Sequence, residues 1–400
     1  MTDVHALKKD ILNKARQIHK TQVKWRRHLH QYPEVSNEEF ETTAFIKKLV
    51  RELGLKILPL KMETGVLAEI KGPRPGPTVA LRADIDALPV LEQTGLPYAS
   101  KNTGCMHACG HDAHSAIVLG TAAVLMKMRR ELTGNVRLLF QPAEEMPPGG
   151  ARPMIANGAL KNVSTIFGIH VDPHLTVGKI GLCDGPAMAS VYDFDLIIKG
   201  KGGHAARPHT AIDAITTAAE VVGSLQKIVS REIDPVTPIA ITFGRIEGGA
   251  ARNVVADLVT LAGTARTFAR SARKRVPTLI KRTVAGVCRA HGAGYEIIEA
   301  ASYPVLVNDA ATNRLFARNQ ELLFGKNRVV EAETVLGGED FACYVEKVSG
   351  SWMRLGVMNK KIGADQPWHS PRFIIDEEAL YYGTALLVAS TLDYMNQKAR

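Results

Sequence analysis

Nine consecutive residues, Met106 to His114, carry one thiol, three imidazoles and one carboxylate: His107, Cys109, His111, Asp112 and His114. Thiolate and imidazole donors balanced by carboxylate are what Zn²⁺ or a similar divalent ion requires, and a catalytic site keeps one position open for water. Two other uses compete. A structural zinc knuckle needs a second Cys/His pair at finger spacing, and none occurs. A redox pair favours C-x-x-C, whereas Cys105 and Cys109 stand one residue further apart and flank a histidine. Alone, Cys109 would by default be a buried inert thiol; the histidines around it favour metal binding.

In an α/β sheet, function gathers at the carboxyl ends of strands. Asp84 and Asp86 follow the run TVALRA, and Glu144-Glu145 follow RLLFQPA, both in such places. Adjacent glutamates on an irregular turn can divide labour, one ligating a metal while its neighbour faces the attacking water. We assign Glu145 to the metal and Glu144 to the base; a solvated acidic pair is the alternative for any Glu-Glu. His170 ends the run STIFGIH in the same manner. A lone histidine there is more commonly a satisfied core residue, and its company is what argues for a ligand.

These residues need elements that bring strand ends together. The first ~30 residues repeat apolar positions at helical spacing, and a second amphipathic helix runs from about Glu38 to Leu53, with Gly54 as its stop. GVLAEIKG (65–72) and TVALRADID (78–86) are expected strands separated by a PRPGP turn. A long helix from about His111 to Arg130, the strand NVRLLFQ (135–141), a short helix and the strand 164–170 follow. Near Gly185 the pattern changes to β-α-β-β-α-β, the order of a ferredoxin-like unit, closing with GYEIIEAAS (294–302). Beyond Tyr303, helices near 310–324 and 377–395 surround a strand at 352–357. The expected fold is α/β: a discontinuous catalytic domain, residues 1–185 and 303–400, with a mixed, largely parallel sheet and helices on both faces. Residues 186–302 form an inserted ferredoxin-like α+β domain, a lid or dimerisation domain. Its two connections would serve as a hinge that closes the site.

Composition narrows the function classes. With 46% hydrophobic and 22% charged residues the chain is ordinary for a folded protein and unlike a disordered one. Its +10 net charge would suit nucleic acid or anionic substrates. The basic residues are dispersed over helix-patterned segments, however, so we expect no nucleic-acid partner. Five scattered cysteines and a charged N-terminus without an apolar core point to a cytoplasmic protein. The uncharged stretch Ala379–Leu392 is too short for a bilayer and is expected as a buried helix, so no membrane partner is expected.

LRADIDALP, MHACGHDAH, FQPAEE, GIHVDP, KGGHAARPH, GGEDF and HSPRF occur in that order over nearly the whole chain. Together they resemble the metal-dependent amidohydrolases that include aminoacylases, hippurate hydrolases and related carboxypeptidases. The nearest branch has a cysteine in CGHD where others have aspartate; it contains bacterial N-acyl-amino-acid hydrolases and plant auxin-conjugate hydrolases. That resemblance implies a two-metal centre held by Cys109, His111, Glu145, His170 and His369, with Glu144 as catalytic base and Cys109 as bridge. It implies two divalent ions, zinc by preference, with manganese, cobalt or nickel as alternatives. Asp84 or Asp112 would orient a ligating histidine as its carboxylate partner. His204 would donate to the developing oxyanion, in related enzymes from the partner subunit of a dimer, and a homodimer or homotetramer is expected. Asn253 and Arg266 match positions that contact the substrate's carbonyl and carboxylate, and Glu339 is expected to line the pocket. MPPGG after the glutamate pair and TGC before MHACGHD depart from the family pattern and bear on the acyl pocket.

The expected activity is hydrolysis of the amide bond of N-acyl-L-amino acids, or of short peptides with a free C-terminal carboxylate, without a covalent intermediate. The alternatives are a carboxypeptidase or dipeptidase of the same fold, or a non-catalytic protein that sequesters metal or an acyl amino acid. A complete ligand set with an intact base weighs against the last.

Overall fold

The computed structural model describes residues 4–398; the first three residues of the expected opening helix lie outside the described residues. Helix Val4–Gln31 buries Ile11, Ala15, Gln22, Arg26 and Leu29, a stripe at helical spacing. Two of those five are polar, so this helix must meet polar partners inside the protein. Helix Phe40–Glu52 follows and ends before Gly54, whose φ of +74° is the left-handed stop that glycine supplies.

The chain divides into two compact units. The first takes the residues up to Gly185, Val307–Glu333 and those from Cys343 onward; the second takes Pro186–Leu306 and Thr334–Ala342. The segment 334–342 therefore groups with the second unit rather than staying with the C-terminal part of the first, and it carries Glu339 with it.

In the first unit the sheet order is Lys56–Ile57, Val66–Lys71, Thr133–Gln141, Arg74–Asp84, Val163–Thr176, Gly350–Met358, Ile180–Leu182, Val329–Glu331. The four central strands are mutually parallel, while Val66–Lys71 joins one side antiparallel and Ile180–Leu182 the other. The sheet is mixed and largely parallel, as expected. PRPGP is not a free turn, however. Strand Arg74–Asp84 begins inside it, with a register shift between Arg74 and Thr78 that absorbs the prolines at the strand's exposed end.

Helix His111–Lys127 is buried on every face from His111 to Leu125, packed among helices Val4–Gln31 and Glu378–Lys398 and strand Arg74–Asp84. Helix Glu378–Lys398 is similarly buried along Ala379–Leu392 except at Tyr381 and Tyr382. An apolar surface all round a helix has no other stable place in water than the interior of a layered domain. Among the described residues no helix is long and apolar enough to cross a membrane.

The second unit holds a four-stranded antiparallel sheet in the order Ile239–Gly248, Leu258–Thr267, Ser190–Lys199, Gly294–Tyr303. Helices Ala214–Lys227 and Arg270–His291 complete β-α-β-β-α-β. Asp213 caps the first helix by accepting from the backbone N–H groups of Ile215 and Thr216. A separate apolar core, including Phe194, Leu196, Val221, Leu261 and Ile280, holds helices to sheet.

Candidate metal centre

Two neighbouring parallel strands deliver the first carboxylates. Asp84, the last residue of one, pairs in register with Gln141, the last of the other, so the chain leaves both strands at one rim. From that rim come Asp86 and the turn Ala143–Glu145. Strand Val163–Thr176 pairs on the far side of Asp84's strand, with Arg82 opposite Gly168, and brings His170 level with the rim. His170 does not end its strand as the sequence suggested: pairing continues to Thr176 because Gly350–Met358 extends alongside, Arg354 opposite His170.

The thiol arrives on the loop before helix His111–Lys127. Gly110 is the residue preceding that helix and has φ of +87°; a Cβ there would meet Val171 Cγ2 at 2.3 Å, so only glycine lets the loop enter the helix so close to the strand. His369 joins from 260 positions further along the chain, its backbone N–H donating to Ala108 O at 2.9 Å. Its φ of +63°, uncommon for a side chain of this size, places the imidazole beside Glu145.

Cys109 Sγ lies 3.5 Å from His170 Nε2. Glu145 Oε1 lies 3.4 Å from His369 Nε2 and 3.7 Å from His111 Nε2. Ligand atoms of Cys109, His111 and His170 fall within 4.8 Å of one another, as do those of Cys109, Glu145 and His369, and those of His111, Glu144 and Glu145. Cys109 is common to the first two groups. His111 Nε2 and Glu145 Oε1 are buried and make no hydrogen bond, which a folded protein avoids unless another species completes them. One thiol, three imidazoles and a carboxylate, with two donor atoms left open, have the chemistry that a pair of divalent ions requires.

The histidines are turned by their far nitrogens. His111 Nδ1 lies 2.9 Å from the Asp86 carbonyl oxygen and 3.2 Å from Asp86 Oδ1, and His170 Nδ1 lies 2.8 Å from Val171 O, leaving both Nε2 atoms toward the thiol and glutamates. Burial opposes protonation of His111, but Asp84, Asp86 and Glu145 outweigh it and push its pKa up to about 10. Burial, then the charges of Glu145, Glu144 and Asp84, holds the Cys109 thiol well above its usual range. His170 goes the other way, lowered by burial and by His114. Carboxylates crowded around a thiol create a field that a divalent cation relieves, and the cation in turn favours the thiolate.

The expected carboxylate partners are redistributed. Asp84 binds His114 Nδ1 at 2.6 Å and Arg82 at 2.6 Å, while His111 Nε2 is 3.7 Å away. His114 is saturated, because its Nε2 accepts from the Val171 N–H at 2.9 Å. Asp112 touches no ligand-candidate histidine; its Oδ2 is 2.7 Å from Arg26 Nε and 2.8 Å from His30 Nδ1, on the polar stripe of the opening helix. The carboxylate that meets His111 is Asp86, which also accepts from the Glu145 N–H at 3.0 Å and from Ser36 Oγ at 2.7 Å. His107 is buried at 1% exposure with neither ring nitrogen hydrogen-bonded, and burial lowers its pKa to about 4, a neutral core imidazole.

The remaining site candidates belong to the second unit. His204 is exposed, its Nδ1 accepting from the Ala206 N–H at 3.0 Å. It pairs with Val254 in a short ribbon, where Asn253 O accepts from the Ala205 N–H at 3.1 Å, so His204 and Asn253 are neighbours. Arg266 donates to Thr264 Oγ1 at 2.9 Å and to Asp193 Oδ1 at 3.3 Å from the face of the sheet. Glu339 is buried and accepts from the Phe341 N–H at 2.9 Å.

Residues 80–393 match the family model described as Peptidase family M20/M25/M40. The N-acetylcysteine deacetylase of Bacillus subtilis is 44% identical over 364 residues, covering 91% of this chain and 94% of the relative. Thermostable carboxypeptidase 1 of Saccharolobus solfataricus is 37% identical over 98% of this chain and 99% of its own length. The crystal structure of the B. subtilis YXEP protein, described as a dinuclear metal binding peptidase from the M20 family, superposes with a TM-score of 0.81 at 39% identity, covering 95% of this chain and 99% of that one.

Proposed function

Because the chain belongs to peptidase family M20/M25/M40 and is a metal-dependent amidohydrolase of acyl amino acids or short peptides, we propose that Cys109, His111, Glu145, His170 and His369 hold its two ions and Glu144 is its base. The observation that carries this is the convergence of those donor atoms, Cys109 belonging to two of the groups, with His111 Nε2 and Glu145 Oε1 buried and without a hydrogen bond. When bound, the ions supply Lewis-acid polarisation of the scissile carbonyl and acidify a water toward neutrality. Thiolate and imidazole ligands favour zinc among the candidate metals.

The chain's own groups then divide the work. Glu144, within 4.8 Å of His111 and Glu145, takes the proton of the attacking water at its carboxylate and returns it to the leaving amine. Asp86 keeps His111 in one tautomer and, through the Glu145 N–H, fixes the turn that carries both glutamates. His204 donates to the oxyanion through Nε2, its Nδ1 being engaged by Ala206. Arg266 receives the free carboxylate of the substrate, Asn253 its carbonyl, and Glu339 lines the pocket.

Within the family we favour N-acyl-L-amino acids over peptides, the deacetylase at 44% identity being the support. A homodimer working in the cytoplasm completes the reading; all five cysteines are free, which suits a reducing compartment. Glu144→Gln is the direct test: it should bind two ions per chain as the parent does and lose turnover on a panel of N-acetyl and N-benzoyl amino acids by about 10²-fold or more. Turnover within a few-fold of the parent removes Glu144 as base.

A further inference from the structure

Glu39 is buried at 0% exposure, yet it neither touches a ligand candidate nor caps its own helix. It stands at the N-cap of helix Phe40–Glu52, where a side chain ordinarily accepts from the first turn. That task falls to Glu34, whose two carboxylate oxygens accept from the Glu41 N–H at 3.1 Å and the Thr42 N–H at 2.7 Å. Glu39 Oε1 instead accepts from the Ala143 N–H at 2.8 Å, and Oε2 has no hydrogen-bond partner. A buried carboxylate with one oxygen unsatisfied is a poor stabilising device, since an apolar side chain of similar volume would avoid the desolvation cost.

What it holds is unusual. Ala143 has φ of +51°, a left-handed backbone that alanine adopts reluctantly, and its next two residues are Glu144 and Glu145. On its other side the same residue is tied by the Gly150 N–H donating to Ala143 O at 3.0 Å. The segment before Glu39 braces the rim as well: Glu34 O accepts from the Ala87 N–H at 2.8 Å, and Ser36 donates to Asp86. We infer that Glu39 is a positioning residue, its carboxylate pinning the Ala143 amide in the left-handed turn that aims Glu144 and Glu145. This rests on the reading of that pair as base and ligand.

Two substitutions of similar volume separate the hydrogen bond from mere filling of space. Glu39→Met removes the acceptor, and Glu39→Gln keeps one. With zinc-loaded enzyme and an N-acetyl amino acid, Glu39→Met should lower kcat by about 10–100-fold with KM within about twofold, the order expected when catalytic groups shift by about 1 Å. Glu39→Gln should stay within about threefold of the parent. Ala143→Gly, whose residue enters positive φ freely, should recover at least about threefold of the loss in the Glu39→Met background. In metal-free protein, amide hydrogen exchange over residues 142–146 should quicken in Glu39→Met while the rest of the first unit is unchanged.

A kcat for Glu39→Met within twofold of the parent overturns the inference. So does a loss that glycine at 143 does not relieve, or exchange that quickens throughout the unit. Glu144→Gln measured alongside keeps the two readings apart: an active Glu144→Gln removes the assignment of the pair, whereas an inactive one beside a parent-like Glu39→Met removes only the role of Glu39.

Discussion

Asp86 gathers more of the centre than any ligand candidate, so its removal is the most informative single perturbation. In Asp86→Ala, Ser36 Oγ and the Glu145 N–H lose the acceptor they share at 2.7 and 3.0 Å. His111 Nδ1 keeps the residue's backbone carbonyl at 2.9 Å and so retains its tautomer. Each buried donor left without an acceptor costs roughly 1–3 kcal/mol, giving about 2–6 kcal/mol for the pair. Loss of a carboxylate behind a ligating histidine weakens metal affinity by about 10–100-fold. Asp86→Asn keeps an oxygen for Ser36 and Glu145 and discards the charge, so most of the stability should return while metal affinity stays low. Urea unfolding of the metal-free variants measures the first effect, and competition with a chromophoric chelator measures the second. Asp86→Ala within ~0.5 kcal/mol of the parent, with unchanged metal affinity, would refute the reasoning; so would an Asn variant as unstable as the Ala variant.

Other expectations follow from the same geometry. Gly110→Ala combines a left-handed backbone, ~1–2 kcal/mol, with a 2.3 Å collision against Val171, ~1–3 kcal/mol, and should destabilise by about 2–5 kcal/mol in urea unfolding; a loss under ~0.5 kcal/mol contradicts it. Arg26→Met leaves the buried Asp112 charge short of its strongest partner and should cost about 3–5 kcal/mol, with Asp112→Asn in the same chain recovering much of that. No recovery in the double variant would mean that packing, not charge pairing, is what Arg26 supplies. Stripping metal with a chelator should abolish turnover, and returned zinc at about 100 times its Kd should restore it and stabilise the protein by about 2.7 kcal/mol for each site filled. Turnover that survives stripping would sink the metal-dependent reading of this site.

How much of this was legible beforehand depends on the range of the contacts. Helices, the β-α-β-β-α-β succession of elements in the second unit and the strand-end position of Asp84, Asp86, Glu144 and Glu145 could be read from periodicity, because each is set by residues a few positions apart. Cys109 and His111 declared themselves by density. His369 carries no local signal at all: it is an exposed histidine in a loop, and only the tertiary docking of its N–H on Ala108 brings it near Glu145, so family resemblance alone proposed it. Asp84 and Asp86, two apart on an extended chain, are indistinguishable by pattern, and which one meets His111 is decided by helix packing that no periodicity encodes. Asp112 was misdirected for the same reason, its partners Arg26 and His30 lying on the opening helix. The extension of the strand beyond His170 depends on Gly350–Met358, far along the chain.

That late strand also sets an order of events. Gly350–Met358 lies between Val163–Thr176 and Ile180–Leu182, although both neighbours precede it by more than 150 positions. A chain emerging from the ribosome therefore holds the edge of Val163–Thr176 open while the whole second unit is being made, a long exposure of an unpaired parallel edge. His170 sits on that edge, and His369 follows the closing strand. The proposed donor set thus becomes complete only once His369 has been made, after the whole second unit. Metal supplied earlier would meet Cys109, His111, Glu145 and His170 without His369, so the proposed site gains its fifth donor only after the second unit has been made.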